Sequence, residues 1–217
     1  TRPVNSNPPN FTSISLPKVV SVYNCLCLLH IIGMDWNGFP TKSGKVLYIA
    51  GEGSEDVRQR IKAWAKYHGT QPDNFYLIDE PIDFFSYDRR EDGSNGEFGG
   101  LLKNLIMMDN VVLVVVDTFR TCFSGVENLS DDVSKYFKNA RIINRRIGAT
   151  VLTLHHPAKS GSTDARGAGN FLDDVDSYWS IDGNQTLKFR KVKGSPNPPS
   201  IKLQTTEFGG SLIVGYS

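Results

Sequence analysis

No glycine occurs anywhere from Thr1 to Ile32, although the chain holds 20 of them. That excludes a standard glycine-rich phosphate-binding loop from this stretch, because such a loop brings backbone N–H groups close to a ligand through glycine. Cysteine is scarcer still. Cys25, Cys27 and Cys122 form neither a disulfide framework nor a zinc cluster, and an odd count with a Cys-x-Cys pair in an apolar run reads as buried thiols in a reducing compartment. Charge of one sign is not in excess: 24 Lys and Arg face 23 Asp and Glu, for a net charge of +1. No global field therefore attracts nucleic acid or an anionic membrane, although a ring can still concentrate basic groups in its pore. The longest apolar stretch, Val19 to Ile32, is broken by Ser21, Asn24 and His30 and is too short to span a bilayer. Residues 1–17, rich in Pro, Asn and Ser, contain no apolar signal-peptide core. The expectation is a cytoplasmic protein with no membrane partner.

What is present suits one α/β domain. The chain has 217 residues, 39% hydrophobic and 22% charged, enough to bury a core. Residues 1–17 read as an irregular tail, with Pro3, Pro8, Pro9 and Pro17 blocking regular structure, and 18–217 as the folded domain. Val19 to Ile32 reads as a buried helix stopped by Gly33, and Met34 to Lys42 as a loop. Strands are expected at Lys45 to Ala50, Phe75 to Ile78, Val111 to Val116 and Ala149 to Leu154. Between them, helices are expected from a Ser54 cap, with Val57, Ile61, Trp64 and Ala65 on one face, at Phe98 to Met108, and from a Ser130 cap to about Ile147. Beyond Ser177 the pattern becomes a meander of short strands: Tyr178 to Ile181, Gln185 to Val192, Ile201 to Thr205 and Leu212 to Val214. Strand–helix alternation followed by this tail predicts a mostly parallel sheet flanked by helices, with a carboxyl-terminal antiparallel extension.

In open α/β sheets ligands bind beyond the carboxyl ends of the strands. Polar residues stand at those ends: Glu52 after KVLYIAGEG, Asp117 and Thr118 after VVLVVVDT, His155 and His156 after ATVLTLHH. An acid ending a strongly apolar strand is costly without a metal, a ligand or hydrogen bonds. Asp117 fits a Mg²⁺ site in a nucleotide hydrolase and equally a loop cap. Glu52, between two glycines, fits a base that deprotonates a water, and equally the acidic first turn of a helix. The histidines fit donors to a phosphate. Metal ligation by both is disfavoured, because adjacent side chains on a strand point to opposite faces.

Three strings together carry a resemblance. GMDWNGFPTKSGKVLYIAGEGSEDVRQRIKAW is similar to the segment after the Walker A helix of RepA-type, RecA-like hexameric helicase ATPases. VVLVVVDTFRTCFSGVENLSDDVSKYF resembles the family's Walker B strand and the acidic segment after it. GATVLTLHHPAKSGSTDARGAGNFLDDVDSYWSI resembles its His-His strand, Lys/Gly loop and Arg-Gly segment. The likeness covers roughly residues 33–193 and implies a RecA-like P-loop fold. It also implies catalytic Glu52, Mg²⁺-associated Asp117 with Thr118, phosphate-sensing His156 with His155 beside it, and Arg166 near nucleotide or a subunit boundary. Arg58 or Arg60 would approach the adenine side or line a solvated helix face. The DDVDS segment has no arginine where RepA-type proteins carry one acting on the neighbouring subunit. In KFRKVKG, Lys191 and Lys193 are candidates to reach a neighbour's γ-phosphate, and an exposed basic edge strand is the plain alternative.

A P-loop requires G-x-x-x-x-G-K-[ST]. Its place falls in FTSISLPKVV, where Lys18 stands but Pro17 replaces glycine and Val19 replaces the hydroxyl residue. Proline has no N–H to donate and valine no oxygen for Mg²⁺. Ser43-Gly44-Lys45 imitates the motif but precedes a strand instead of opening a helix. The resemblance implies an ATP- and Mg²⁺-dependent ring, a hexamer, moving on single-stranded DNA. Loops at Asp88 to Gly96 and Pro157 to Arg166 are candidates for DNA contact. The rival reading is a non-catalytic scaffold or regulatory subunit of the same fold.

Overall fold

The computed structural model of the chain describes residues 33–36, 40–86, 96–156 and 168–216. Its first sheet comprises β1 (Lys45–Ala50), β2 (Phe75–Ile78), β3 (Val111–Asp117) and β4 (Thr150–Thr153), in the order β2-β1-β3-β4. Every pairing in it is parallel. Helices α1 (Ser54–His68), α2 (Gly96–Met107) and α3 (Ser130–Ile147) make the crossovers.

The continuous run VVLVVVD is buried along its whole length, as a central parallel strand covered on both faces must be. One face of the sheet presents Leu47, Ile49, Val114 and Val116 to Leu105 of α2 and to Tyr136 and Ile143 of α3. The opposite face presents Val46, Tyr48, Leu113 and Val115 to Val57, Ile61 and Trp64 of α1. Those α1 positions recur at helical spacing, and each fully buried aliphatic side chain contributes about 1.5–3 kcal/mol.

Both serine caps expected from the sequence are displaced. Gly53, in the left-handed conformation, and Leu129 occupy the cap positions without a side-chain hydrogen bond, and Ser54 and Ser130 are the first helical residues. At the far end of α3, Gly148 (φ 73°) closes the helix with its N–H on the Asn144 carbonyl, a left-handed turn that glycine adopts without a side-chain clash.

The chain then forms α4 (Ala168–Asp174) and a second, antiparallel sheet of β5 (Ser177–Ile181), β6 (Thr186–Val192), β7 (Ile201–Phe208) and β8 (Ser211–Tyr216) in sequential order. Leu187 and Leu203 form its own small core, with Trp36 and Trp179 against it. Ile213 of β8 joins the α1 cluster, and Tyr67 meets Phe208 edge-to-face at 5.3 Å, so the meander docks on the α1 side. A cleft of about 390 Å³ separates β4 from β5, walled by α3 residues including Phe137 and Arg141. Among the described residues no helix is long and apolar enough to cross a membrane. The expected helix at Val19 to Ile32 lies outside the described residues.

Candidate functional site

The carboxyl ends of β1, β3 and β4 are tied by backbone hydrogen bonds. Gly51 N–H donates to the Asp117 carbonyl at 2.7 Å, Leu154 N–H to Val116 at 2.9 Å, and Phe119 N–H to Leu154 at 2.7 Å. The contact at Gly51 demands a missing side chain. A Cβ there would stand 2.2 Å from Thr121 Oγ1 and 2.8 Å from Thr121 Cβ. Thr121 is itself held, its Oγ1 accepting from Thr118 N–H at 3.1 Å and donating to the Thr118 carbonyl at 3.0 Å.

Asp117, the last residue of β3, lies opposite Ala50 of β1 and is only 5% exposed. Tyr48 Oη donates to its Oδ2 at 2.5 Å. Burial pushes the Asp117 carboxyl above the ordinary carboxylate range; the Tyr48 bond and the charges of His156 and Arg60 pull it back, while Glu52 adds to the rise. The peptide between Asp117 and Thr118 is cis. Thr118 is buried too, and its Oγ1 has no hydrogen-bond partner among the described residues. An orphaned buried hydroxyl costs about 1–3 kcal/mol, which a bound polar ligand would offset.

Glu52 and His156 are half-exposed and face each other, with His156 Nε2 3.8 Å from Glu52 Oε1. His155 turns elsewhere. Its Nε2 lies 2.9 Å from Glu127 Oε1 and its Nδ1 2.7 Å from the His156 carbonyl, while its ring packs beside Phe119 and Phe171. Both ring nitrogens thus face oxygen atoms. The two histidines diverge instead of sharing a ligand. Glu127, which Arg120 also approaches at 3.6 Å, and Tyr48 are the site residues that sequence reasoning missed. Their roles depend on partners in other strands and loops, and no local spacing signals them.

Arg58 pairs with Asp79 at 2.6 Å, whereas Arg60, mostly buried and 3.8 Å from Asp56, bears electrostatically on Asp117. Lys191 donates to the Leu172 carbonyl, and Lys193 pairs with Asp176 at 3.0 Å. Their partners lie around the α4–β5 junction. Lys45 is the first residue of β1, at the opposite end of the strand from Gly51 and Glu52, its N–H on the Asn110 carbonyl and its ammonium on Asp109, so Ser43-Gly44-Lys45 is remote from this site. Lys18, Arg166, Arg89, Arg90 and the loop from Pro157 lie outside the described residues.

The donors fit a hard cation bound jointly with phosphates. Asp117 supplies an anionic oxygen where burial disfavours an uncompensated charge, and Thr118, the next residue in the chain, carries a buried, unpartnered hydroxyl. Among the described residues no group of three or more His, Cys, Asp or Glu is placed to hold a metal by itself.

Compared with known proteins, the chain matches the family model of the AAA domain over residues 20–162. The match takes in Glu52, Asp117, Thr118, His155 and His156, begins after Lys18, and stops short of Arg166, Lys191 and Lys193. No curated protein matches the chain.

Proposed function

From a chain that belongs to the AAA domain family, a P-loop nucleoside-triphosphatase fold, we propose the activity of an ATP-hydrolysing motor domain of a RepA-like replicative DNA helicase. The observation that carries this reading is the convergence of Glu52, Asp117, Thr118 and His156 at the ends of adjacent parallel strands, with one buried hydroxyl left unpartnered.

The chemistry assigned to the site is attack of water on the γ-phosphorus. Glu52 accepts the water's proton, and the bond from the γ-phosphorus to the bridging oxygen breaks, its electron pair leaving with ADP. Its half-exposed carboxylate, beside His156 and flanked by glycines, is open to a water molecule. Asp117 and Thr118 would hold Mg²⁺, which supplies positive charge against that of the phosphates. His156 donates to the transferred phosphate, and His155 anchors it by bonding its carbonyl. Lys18 is assigned to phosphate contact, Arg166 to the surroundings of the nucleotide or to a subunit boundary, and Lys191 and Lys193 to the γ-phosphate of nucleotide held by a neighbour in a hexameric ring around single-stranded DNA.

A second reading is favoured by one specific feature, the Pro17-Lys18-Val19 sequence where a phosphate loop needs glycine and a hydroxyl. It makes the chain a non-catalytic scaffold or regulatory subunit. Hydrolysis assays with and without single-stranded DNA, alongside Glu52→Gln, separate the two. Turnover stimulated by DNA and abolished in the variant supports the motor; absence of nucleotide binding sinks it and leaves the scaffold.

A further inference from the structure

Tyr48 carries a hydroxyl where packing alone calls for none. It lies within β1, fully buried, among Val46, Leu47, Ile49 and Ala50. Phenylalanine would fill that space without desolvating an O–H group, and a buried phenol is costly unless its proton is donated. Tyr48 donates to Asp117 Oδ2 across the strand pair. The register explains the reach. Ala50 sits opposite Asp117 and Tyr48 opposite Val115, so Tyr48 and Asp117 are diagonal neighbours on one face. The same face carries α1, whose Arg60 adds positive charge nearby.

Resting on the nucleotide-and-metal reading of this site, we propose that Tyr48 is a positioning residue for Asp117. Its hydroxyl occupies Oδ2 and fixes the rotation of the carboxylate, so that Oδ1 would be the oxygen left for Mg²⁺. Hydrogen bonds that orient a metal-binding carboxylate are commonly worth 10- to 100-fold in affinity. Tyr48 touches neither water nor phosphate in this scheme and acts only through Asp117.

The test is Mn²⁺ binding to the full chain with ATP, followed by electron paramagnetic resonance, for the native protein, Tyr48→Phe and Asp117→Asn. Tyr48→Phe is expected to weaken Mn²⁺ binding by about tenfold or more. It should lower kcat at limiting metal and leave the KM for ATP at saturating metal near native. Native-like Mn²⁺ affinity in Tyr48→Phe, with binding lost in Asp117→Asn, overturns the positioning role and leaves the site reading intact. Native-like affinity in Asp117→Asn, or none in the native chain, overturns the site reading and this inference with it. A readout on the native chain covers poor folding of the variants. The ¹³Cζ resonance of Tyr48 should move when Mg²⁺ and ATP are added, and an unmoved resonance counts against the proposal.

Discussion

His156 and Glu52 leave the parallel sheet on different strands and meet, Nε2 to Oε1, at 3.8 Å. The separation exceeds a hydrogen bond, so each keeps polar capacity for a third group between or beside them. A neutral or positive histidine and an acid at this spacing form a donor and an acceptor side by side.

His156→Ala should therefore cost activity and little else. The side chain is half-exposed, so thermal stability should stay within about 0.5 kcal/mol of native. Loss of one donor to a phosphate oxygen should cut turnover by about a hundredfold. Unchanged steady-state hydrolysis in a stably folded variant would remove His156 from the reaction.

Asp117→Asn should stabilise the fold while removing metal binding. Burial raises the Asp117 carboxyl above its unfolded value, so between the two values the folded chain holds the extra proton. Stability then falls as pH rises through that window, and the penalty is fully present above the folded value. Melting curves should show the variant above the native chain at pH 7, with the gain vanishing below the unfolded carboxyl range. A lower melting temperature at pH 7 contradicts this account.

Gly51→Ala should destabilise the chain by about 1–3 kcal/mol, because its Cβ would overlap Thr121 in a packed turn. Adding Thr121→Ala removes the nearest atom, Oγ1, and should recover part of the loss. Strictly additive denaturation free energies for the pair would show that the two residues do not compete for space.

Asn139, buried on α3, donates Nδ2–H to the Phe84 carbonyl at 2.7 Å and holds the segment after β2 against the core. Asn139→Leu strands that carbonyl and should cost about 1–3 kcal/mol in urea unfolding. A variant as stable as native would mean that water replaces the amide.

Asp83 links the same segment to the loop after β3. Desolvation works to raise its carboxyl, but bonds from Ser86, Ser124 and the backbone N–H groups of Phe85 and Ser124 outweigh it and hold the carboxyl below its usual range. Its stabilisation is present above the unfolded value and is lost as pH falls through the folded one. Asp83→Asn should cost about 0.5–1 kcal/mol at pH 7, allowing for solvent screening, and nothing in strong acid. An equal cost at both pH values would locate the effect in packing.

The parallel sheet was legible because burial on both faces writes itself as an uninterrupted run in β3, and α1 and α3 because their buried positions repeat along one face. The strand-end acids and histidines stood out as polar groups terminating apolar strands. What escaped was long-range. Tyr48 reads as core until Asp117, 69 residues away, is seen to accept its proton, and Glu127 reads as loop until His155 reaches it from 28 residues further on. The caps misled for a local reason: left-handed Gly53 moved the helix start onto Ser54.

The tie between Gly51 and Asp117, and those joining Leu154 to Val116 and Phe119 to Leu154, give the site a common clock. Their amide protons are shielded by the ends of the sheet itself, so deuterium enters them only when the parallel strands part. The acids and histidines are then expected to assemble in the event that closes the core, and exchange at these three amides should track global unfolding.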